Sequence, residues 1–434
     1  MSLDRKVPDV VEVAPARSLH GVVRTPGDKS ISHRALLLAS LSEGRSSIEG
    51  LSDGDDVART LACIAALGAV VDRDDDGHVT VEGGRGRLQA AADVLDCGNS
   101  GTTMRLLCGV VVTIAGAHHL DGDNSLRSRP MDRVAVPLRA MGATIEGAGP
   151  RCTPPLAVTG TATRAIRYEL PVASAQVKSA ILLAGLAGDG PTTVVEPVAT
   201  RTHTESMLLR AGARVEVAAR PDGRHTTVWP SRLTAVDWHV AADPSHAAFL
   251  VVAAVLAQDG DVEVRDVDVT EERIGFVGVL ARMGAQVVTR VRRGERGDLL
   301  AASASLECTD VEARELPSLD EVPILAVAAA AATGTTTFLD VSELRVKETD
   351  RLEATARLVR ALGAGAKVDG NDLEVNGLGD PRRFVRLEYD AAGDHRMAMA
   401  AVVAATVGAG GVVGGFGGVA TSYPGFLSAL ASMR

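Results

Sequence analysis

The sequence predicts an α/β protein of two domains, assembled from six strand-and-helix units with three units to a domain. Three observations predict it. The first is a short pattern, an apolar or small residue, then Gly-Ala, then β-prone residues. It occurs as ALGAVV from Ala66, AMGATI from Ala140, RAGARV from Arg210, RMGAQV from Arg282 and ALGAGAKV from Ala361. Its glycines, Gly68, Gly142, Gly212, Gly284 and Gly363, stand 74, 70, 72 and 79 residues apart. Each follows a helical pattern such as VARTLACIAALG. Glycine suits a helix that must end in a left-handed turn, and the β-branched residues after it begin a strand. A period held this closely marks a repeat architecture.

The second observation is a set of six segments that open with polar residues and run into Ala/Leu/Val-rich helices. They are SISHRALLLASL from Ser30, SGTTMRLLCGVVV from Ser100, SAQVKSAILLAGLAG from Ser174, PSHAAFLVVAAVLA from Pro244, LDEVPILAVAAAAATG from Leu319 and DHRMAMAAVVAATVG from Asp394. Helices apolar nearly all round belong inside their domains. The third is a mismatch between six such helices and five Gly-Ala turns. The missing turn would fall near residue 434, where GFLSALASMR stops. The strand VVEVA, Val10 to Ala14, is expected to supply what the last unit lacks, which would bring both chain ends into one domain. The expected domains are residues 25–240 and residues 1–24 plus 241–434, with two crossings that suit a hinge.

Composition narrows the function. The 434 residues hold 45 Lys+Arg and 55 Asp+Glu, a net charge of −10. That balance, with only 3% aromatics, argues against a nucleic-acid partner, which would call for basic patches or stacking platforms. The five cysteines are widely spaced and form no CxxC, so neither a disulfide framework nor a structural zinc is expected. The longest apolar run, Ala247 to Ala257, has 11 residues, short of the ~20 a spanning helix needs. Met397 to Ala420 is uncharged, but its seven glycines fit a core helix and turns. The opening MSLDRKVPDV lacks the layout of a signal peptide. A cytoplasmic setting without a membrane partner follows.

The polar residues gather at the starts of the buried helices: Lys29, Ser30 and Arg34 at the first, Asn99, Ser100, Gly101 and Arg105 at the second, Ser174, Gln176 and Lys178 at the third. The fifth start carries Asp320 and Glu321, and the sixth Asp394, His395 and Arg396. A helix N-terminus presents unpaired N–H groups and partial positive charge, so several aimed at one place favour anions. Ser, Asn and Asp there are also ordinary caps, but buried Lys and Arg need partners. LRSRPMDR adds Arg127, Arg129 and Arg133, and TRTHTESM adds Arg201 and His203. RVKETDR packs Lys347, Glu348, Asp350 and Arg351 together and reads equally well as a helix start with solvated charge pairs. No GxxxxGK[ST], HExxH or GxSxG is present, and GGFGG at Gly414 lacks dinucleotide spacing. Asp53, Asp55 and Asp56 in SDGDDVAR read as a turn and a helix cap rather than a metal site.

GDKSISHRALLLASL, GNSGTTMRLL, SRPMDR, SAQVKSAILLAGL, LDEVPILAVAAA, RVKETDRL and DHRMAMA occur in that order. Together they resemble the EPSP synthases, the 3-phosphoshikimate 1-carboxyvinyltransferases of the shikimate pathway, over essentially the whole chain. The resemblance implies a two-domain inside-out α/β barrel with three βαβαββ units per domain. It implies addition of the 5-hydroxyl of shikimate 3-phosphate to C2 of phosphoenolpyruvate, then elimination of phosphate, with no metal or organic cofactor. Residue by residue, it implies shikimate 3-phosphate contacts from Lys29, Ser30, Arg34, Ser174, Ala175, Gln176, Arg201, Asp320 and Lys347. It implies phosphoenolpyruvate contacts from Lys29, Asn99, Gly101, Arg129, Gln176, Arg351, His395 and Arg396. Asp320 would be the base for the 5-hydroxyl, and Glu348 and Lys29 the proton carriers at C3. It further implies a monomer that closes on its substrates and is inhibited by glyphosate. The chain departs from some members at Ala175, where many have Ser, at Glu343, where some have Asn, and at Thr421, where some have Lys. Two other readings stand beside it: a UDP-N-acetylglucosamine enolpyruvyl transferase, which typically carries a Cys where this chain has DNSLRS, and a non-catalytic anion-binding protein, which would have no use for Asp320 and Glu348.

Overall fold

The computed structural model describes residues 7–74, 77–316 and 319–434; residues 1–6, in the expected second domain and in the stretch read for a signal peptide, lie outside them. The six apolar segments are helices, Lys29–Leu41, Gly101–Val111, Ala175–Gly185, Pro244–Leu256, Val322–Ala331 and His395–Val407. All 13 residues of Pro244–Leu256 and all 13 of His395–Val407 are buried. With aliphatic side chains on every face, such a helix is stable only when surrounded, at roughly 1.5–3 kcal/mol for each large side chain removed from water. Where two of them meet, size is critical. A Cβ on Gly109 would stand 2.3 Å from the carbonyl oxygen of Ala180, so Gly101–Val111 and Ala175–Gly185 meet backbone to backbone.

The repeated glycines end helices as expected. Gly68, Gly142, Gly212, Gly284 and Gly363 have φ of +106°, +103°, +87°, +95° and +88°, a region that side chains disfavour. They terminate Asp55–Ala66, Asp132–Ala140, His203–Arg210, Gly275–Arg282 and Arg351–Ala361, the outer helix of each of five units.

The chain packs into two compact units, one made of the described residues up to Asp28 together with Ala241–Arg434, the other of Lys29–Val240. Each has its own aliphatic core. Asp28 belongs with the former because its N–H donates to Ala241 (2.8 Å) and its carboxylate meets Arg273.

One sheet order recurs. Arg167–Glu169 lies parallel to Thr192–Glu196, which is antiparallel to Gly223–Val228, itself antiparallel to Val215–Arg220. Leu95–Asp96, Gly116–Asp121, Thr153–Gly160 and Thr144–Ala148 repeat it, as do Asp310–Glu312, Thr335–Leu339, Asp372–Asn376 and Gly365–Asp369. In these units a buried helix connects the parallel pair. The two helices next to the crossings differ. Ser18–Val23, which precedes the first buried helix, pairs parallel with Asp259–Asp268, which follows the fourth. Leu233–Thr234 and Trp238–His239, which precede the fourth, pair parallel with Ser42–Glu49, which follows the first. Two units have thus exchanged leading strands, which the repeat pattern alone does not show. The last sheet has Leu387–Asp390 parallel to Gly411–Gly414, with Val11–Val13 antiparallel on its other side.

Candidate active site

In the unit Lys29–Val240, three buried helices carry the site. Lys29 opens the first, its ammonium 3.1 Å from Asp56 Oδ2. Asp56 lies in the first turn of Asp55–Ala66, whose N-cap is Gly54 with no side-chain cap. The aspartates of SDGDDVAR therefore do not cap their helix as expected; Asp56 serves as counter-charge to Lys29. Among the described residues, no cluster of His, Cys, Asp and Glu could hold a metal. One turn on, Arg34 donates to Thr204 Oγ1 (2.7 Å), Ser179 Oγ (2.8 Å) and the Ser30 carbonyl (2.9 Å), all neutral acceptors.

Ser100 caps the second helix by accepting from the Thr103 N–H at 3.1 Å. Gly101 is its first residue. A Cβ there would stand 2.9 Å from Arg105 Nη1 and 3.4 Å from Arg129 Nη1, so glycine lets two guanidinium groups close on the helix end. Arg129 donates to Asn99 Oδ1 (2.8 Å), and the Asn99 amide donates to Asp123 (2.7 Å). Arg105 donates to Gln176 Oε1 (2.8 Å), and Gln176 Nε2 to Thr102 Oγ1 (2.9 Å), which joins the second helix start to the third. Ser174 caps the third helix through the Val177 N–H, leaving Ala175 and Gln176 in its first turn.

The unit containing Ala241–Arg434 is organised around Arg351. This guanidinium is 1% exposed. Its Nε donates to Asp394 (2.8 Å), Nη1 to Asp320 (2.7 Å) and Nη2 to Glu348 (2.5 Å). Burial opposes the charge on Arg351, but Glu348, Asp394 and Asp320 outweigh it and raise its pKa. RVKETDR is accordingly not a run of solvated charge pairs: Arg351 is inside, with three carboxylates drawn from three segments. The side chains of Asp320 and Glu348 are 22% and 27% exposed, whereas that of Asp394 is fully buried and caps the sixth helix. Two of the three can therefore reach a ligand. Lys347 pairs with Glu343 at 2.7 Å and lies 3.9 Å from Asp320. Arg396, 4% exposed, has Nη2 3.8 Å from Asp320, while its Nε and Nη1 have no hydrogen-bond partner among the described residues. His395 beside it is buried at the first position of the helix.

A guanidinium fixed between a base-like carboxylate and an unfilled set of donors suits an anion whose reaction moves protons. Comparison with known proteins names the anion chemistry. Residues 13–430 match the family model for EPSP synthase (3-phosphoshikimate 1-carboxyvinyltransferase). The chain belongs to the EPSP synthase family. It is 44% identical over 432 residues to the 3-phosphoshikimate 1-carboxyvinyltransferase of Desulforudis audaxviator, covering 98% of this chain and 99% of that one. It is 47% identical to that of Gloeobacter violaceus, with 97% and 98% covered. The solved EPSP synthase of Acinetobacter baumannii superposes with a TM-score of 0.87 at 34% identity, covering 98% of each chain.

The structure gives the residues singled out by the sequence the following partners. Arg351, expected to hold phosphoenolpyruvate, donates from all three nitrogens to carboxylates, while Arg396 has Nε and Nη1 unused among the described residues. Arg127 pairs with Asp121 (2.9 Å) and Arg133 is exposed. Of the three departures, Glu343 takes up Lys347 and the Thr421 hydroxyl donates to the Gly418 carbonyl (2.8 Å). Ala175 offers only its backbone. Asp56, Arg105 and Asp394 were not among the expected ligands. Their signal is spacing in the fold: Asp56 is 27 residues from Lys29, and Asp394 is 43 from Arg351.

Proposed function

We propose that this chain transfers the enolpyruvyl group of phosphoenolpyruvate to the 5-hydroxyl of shikimate 3-phosphate and releases phosphate. The observation that carries the reading is the group Asp320, Glu348, Arg351 and Arg396: two partly exposed carboxylates fixed on one buried guanidinium, next to a second with donors unused. Asp320 accepts the 5-hydroxyl proton as that oxygen bonds to C2. Glu348, with Lys29, delivers a proton to C3 and takes one back when phosphate leaves, which restores the double bond. General acid-base transfer of this kind supplies roughly 10²–10⁴ in rate.

The anionic groups need cations in fixed positions, which lower the energy of charge that develops during reaction. Lys29, Ser30, Arg34, Ser174, Ala175, Gln176, Arg201, Asp320 and Lys347 take shikimate 3-phosphate. Lys29, Asn99, Gly101, Arg129, Gln176, Arg351, His395 and Arg396 take phosphoenolpyruvate, with Arg396 its main charge partner in the Ala241–Arg434 unit and Arg351 orienting the carboxylates. The same reading has the enzyme act as a cytoplasmic monomer inhibited by glyphosate. A phosphate-release assay with phosphoenolpyruvate and either shikimate 3-phosphate or UDP-N-acetylglucosamine tests it. Turnover only with shikimate 3-phosphate is expected. Turnover with the nucleotide sugar, or with neither acceptor, would sink the reading.

A further inference from the structure

One buried cation at the helix starts has a task other than meeting an anion. Lys178, in the third buried helix, is fully buried, and its ammonium reaches Glu196 (3.1 Å), Glu205 (2.6 Å) and the backbone carbonyl of Arg201 (2.9 Å). Glu196 ends a strand and is itself fully buried. Its Oε2 also accepts from Arg224 Nε (2.9 Å), and its Oε1 accepts from the Thr200 N–H (3.1 Å) and the Thr200 hydroxyl (2.5 Å). Arg224 in turn donates from Nη2 to the Thr200 carbonyl. Two cations face two carboxylates, so the cluster has no charge left over for a ligand. Burial alone would push the Glu196 carboxyl up, but Lys178, Arg224 and Thr200 outweigh it and hold it below the ordinary carboxylate range.

The connections converge on the backbone of Thr200 and Arg201. These residues lie in the segment between Thr192–Glu196 and His203–Arg210, which has no helix or strand of its own. Such a segment is ordinarily free to move, and a ligand that used it would have to order it at the moment of binding.

We propose that Lys178, Glu196 and Arg224 are positioning residues that hold the 200–201 backbone rigid, so that Arg201 is presented to shikimate 3-phosphate already in place. The inference rests on the reading of Arg201 as a ligand of that substrate. It makes Lys178 a support for specificity rather than one more phosphate contact, although it sits at a helix start beside Ser174 and Gln176.

Lys178→Met would leave Glu196 and Glu205 facing each other in the core and is expected to unfold the unit, so the test uses gentler changes. Arg224→Met, Arg224→Lys, Thr200→Val, Arg201→Ala and the double variant Arg224→Met/Arg201→Ala are compared. Shikimate 3-phosphate binding is measured by titration calorimetry, phosphoenolpyruvate KM and kcat by phosphate release, and Tm by circular dichroism. Arg224→Met and Thr200→Val should each raise the shikimate 3-phosphate Kd roughly tenfold, the order expected for one or two loop residues that must be ordered on binding. Phosphoenolpyruvate KM and saturated kcat should stay within about twofold of wild type, and Arg224→Lys should recover part of the affinity. The double variant should bind no more weakly than Arg201→Ala alone, because both act through one contact. If Arg201→Ala binds normally, the role of Arg201 fails and the positioning role with it. If Arg201→Ala is weakened but Arg224→Met and Thr200→Val are not, if the losses add, or if all substrates suffer in step with Tm, the positioning role alone is overturned.

Discussion

Several guanidinium groups of the two compact units make different kinds of contact. In Lys29–Val240, Arg34 donates to two hydroxyls and a carbonyl, Arg129 to an amide and the Ser125 hydroxyl, and Arg105 to the Gln176 amide and the Pro130 carbonyl. These bonds orient the guanidinium groups, while in the same unit Lys29 meets Asp56, and Lys178 and Arg224 meet Glu196. In the unit of Ala241–Arg434, Arg351 meets three carboxylates, Arg273 meets Asp28 and Asp243, and Lys347 meets Glu343. There, charge is largely compensated, and what the cations position is acid. The difference teaches that a count of Lys and Arg at helix starts does not measure anion affinity. The identity of each cation's acceptor does.

Breaking the acid side should have the largest effect. Glu348→Gln and Asp320→Asn are each expected to lower kcat by roughly 10²–10⁴ while both substrates still bind, as read by titration calorimetry with the inactive protein. Near-normal turnover in either variant would remove that residue from proton transfer. The next effect separates the units by stability. Arg351→Met strands Asp394, Asp320 and Glu348 around an apolar side chain and should cost about 3–5 kcal/mol of unfolding free energy. Arg129→Met, which removes hydrogen bonds to Asn99 and Ser125, should cost less, about 0.5–3 kcal/mol. Equal losses in urea denaturation would erase the contrast.

Gly101 sharpens the comparison on the anion side. A methyl there meets Arg105 Nη1 and crowds Arg129, and both are side-chain ends that can shift. The helix should tolerate it while the space between the two guanidinium groups shrinks. Glyphosate is longer than phosphoenolpyruvate, so Gly101→Ala should raise its inhibition constant more than tenfold, over ~1.4 kcal/mol, and raise the phosphoenolpyruvate KM by less. An inhibition assay with phosphoenolpyruvate varied reads both; equal losses would argue against this pocket.

The smallest effect is on pH dependence in the acid unit. Burial, then Asp320, push the Glu321 carboxyl above its ordinary value of 4.5. A carboxyl raised by folding favours the folded state while protonated, so its contribution is present below about 4.5 and is lost as pH rises through the raised value. Glu321→Gln should remove that slope, measured as denaturation midpoints from pH 4 to 8. A wild-type slope retained in the variant would assign it elsewhere, with Asp268, which is also raised by burial, the alternative.

What the amino-acid order determined by itself is local. Runs of aliphatic residues without a polar face required buried helices, Gly-Ala turns required helix ends, and β-branched residues after them required strands, because each depends on neighbours within a turn or two. Those signals were enough to read six units and the helix starts that bear Lys29, Gly101, Gln176 and Arg396. The partners of those residues were legible only in the tertiary structure. Arg351 finds Glu348 three residues away but Asp320 and Asp394 31 and 43 away, and Lys178 finds Glu196 and Glu205 after 18 and 27. The exchange of leading strands between the units that flank the crossings, Ser18–Val23 with Asp259–Asp268, spans more than half the chain. Helix and turn formation is decided by short-range sterics and hydrogen bonding. A buried charge is decided by whichever opposite charge the fold delivers, and RVKETDR reads equally well as a solvated surface until Asp394 is brought beneath it.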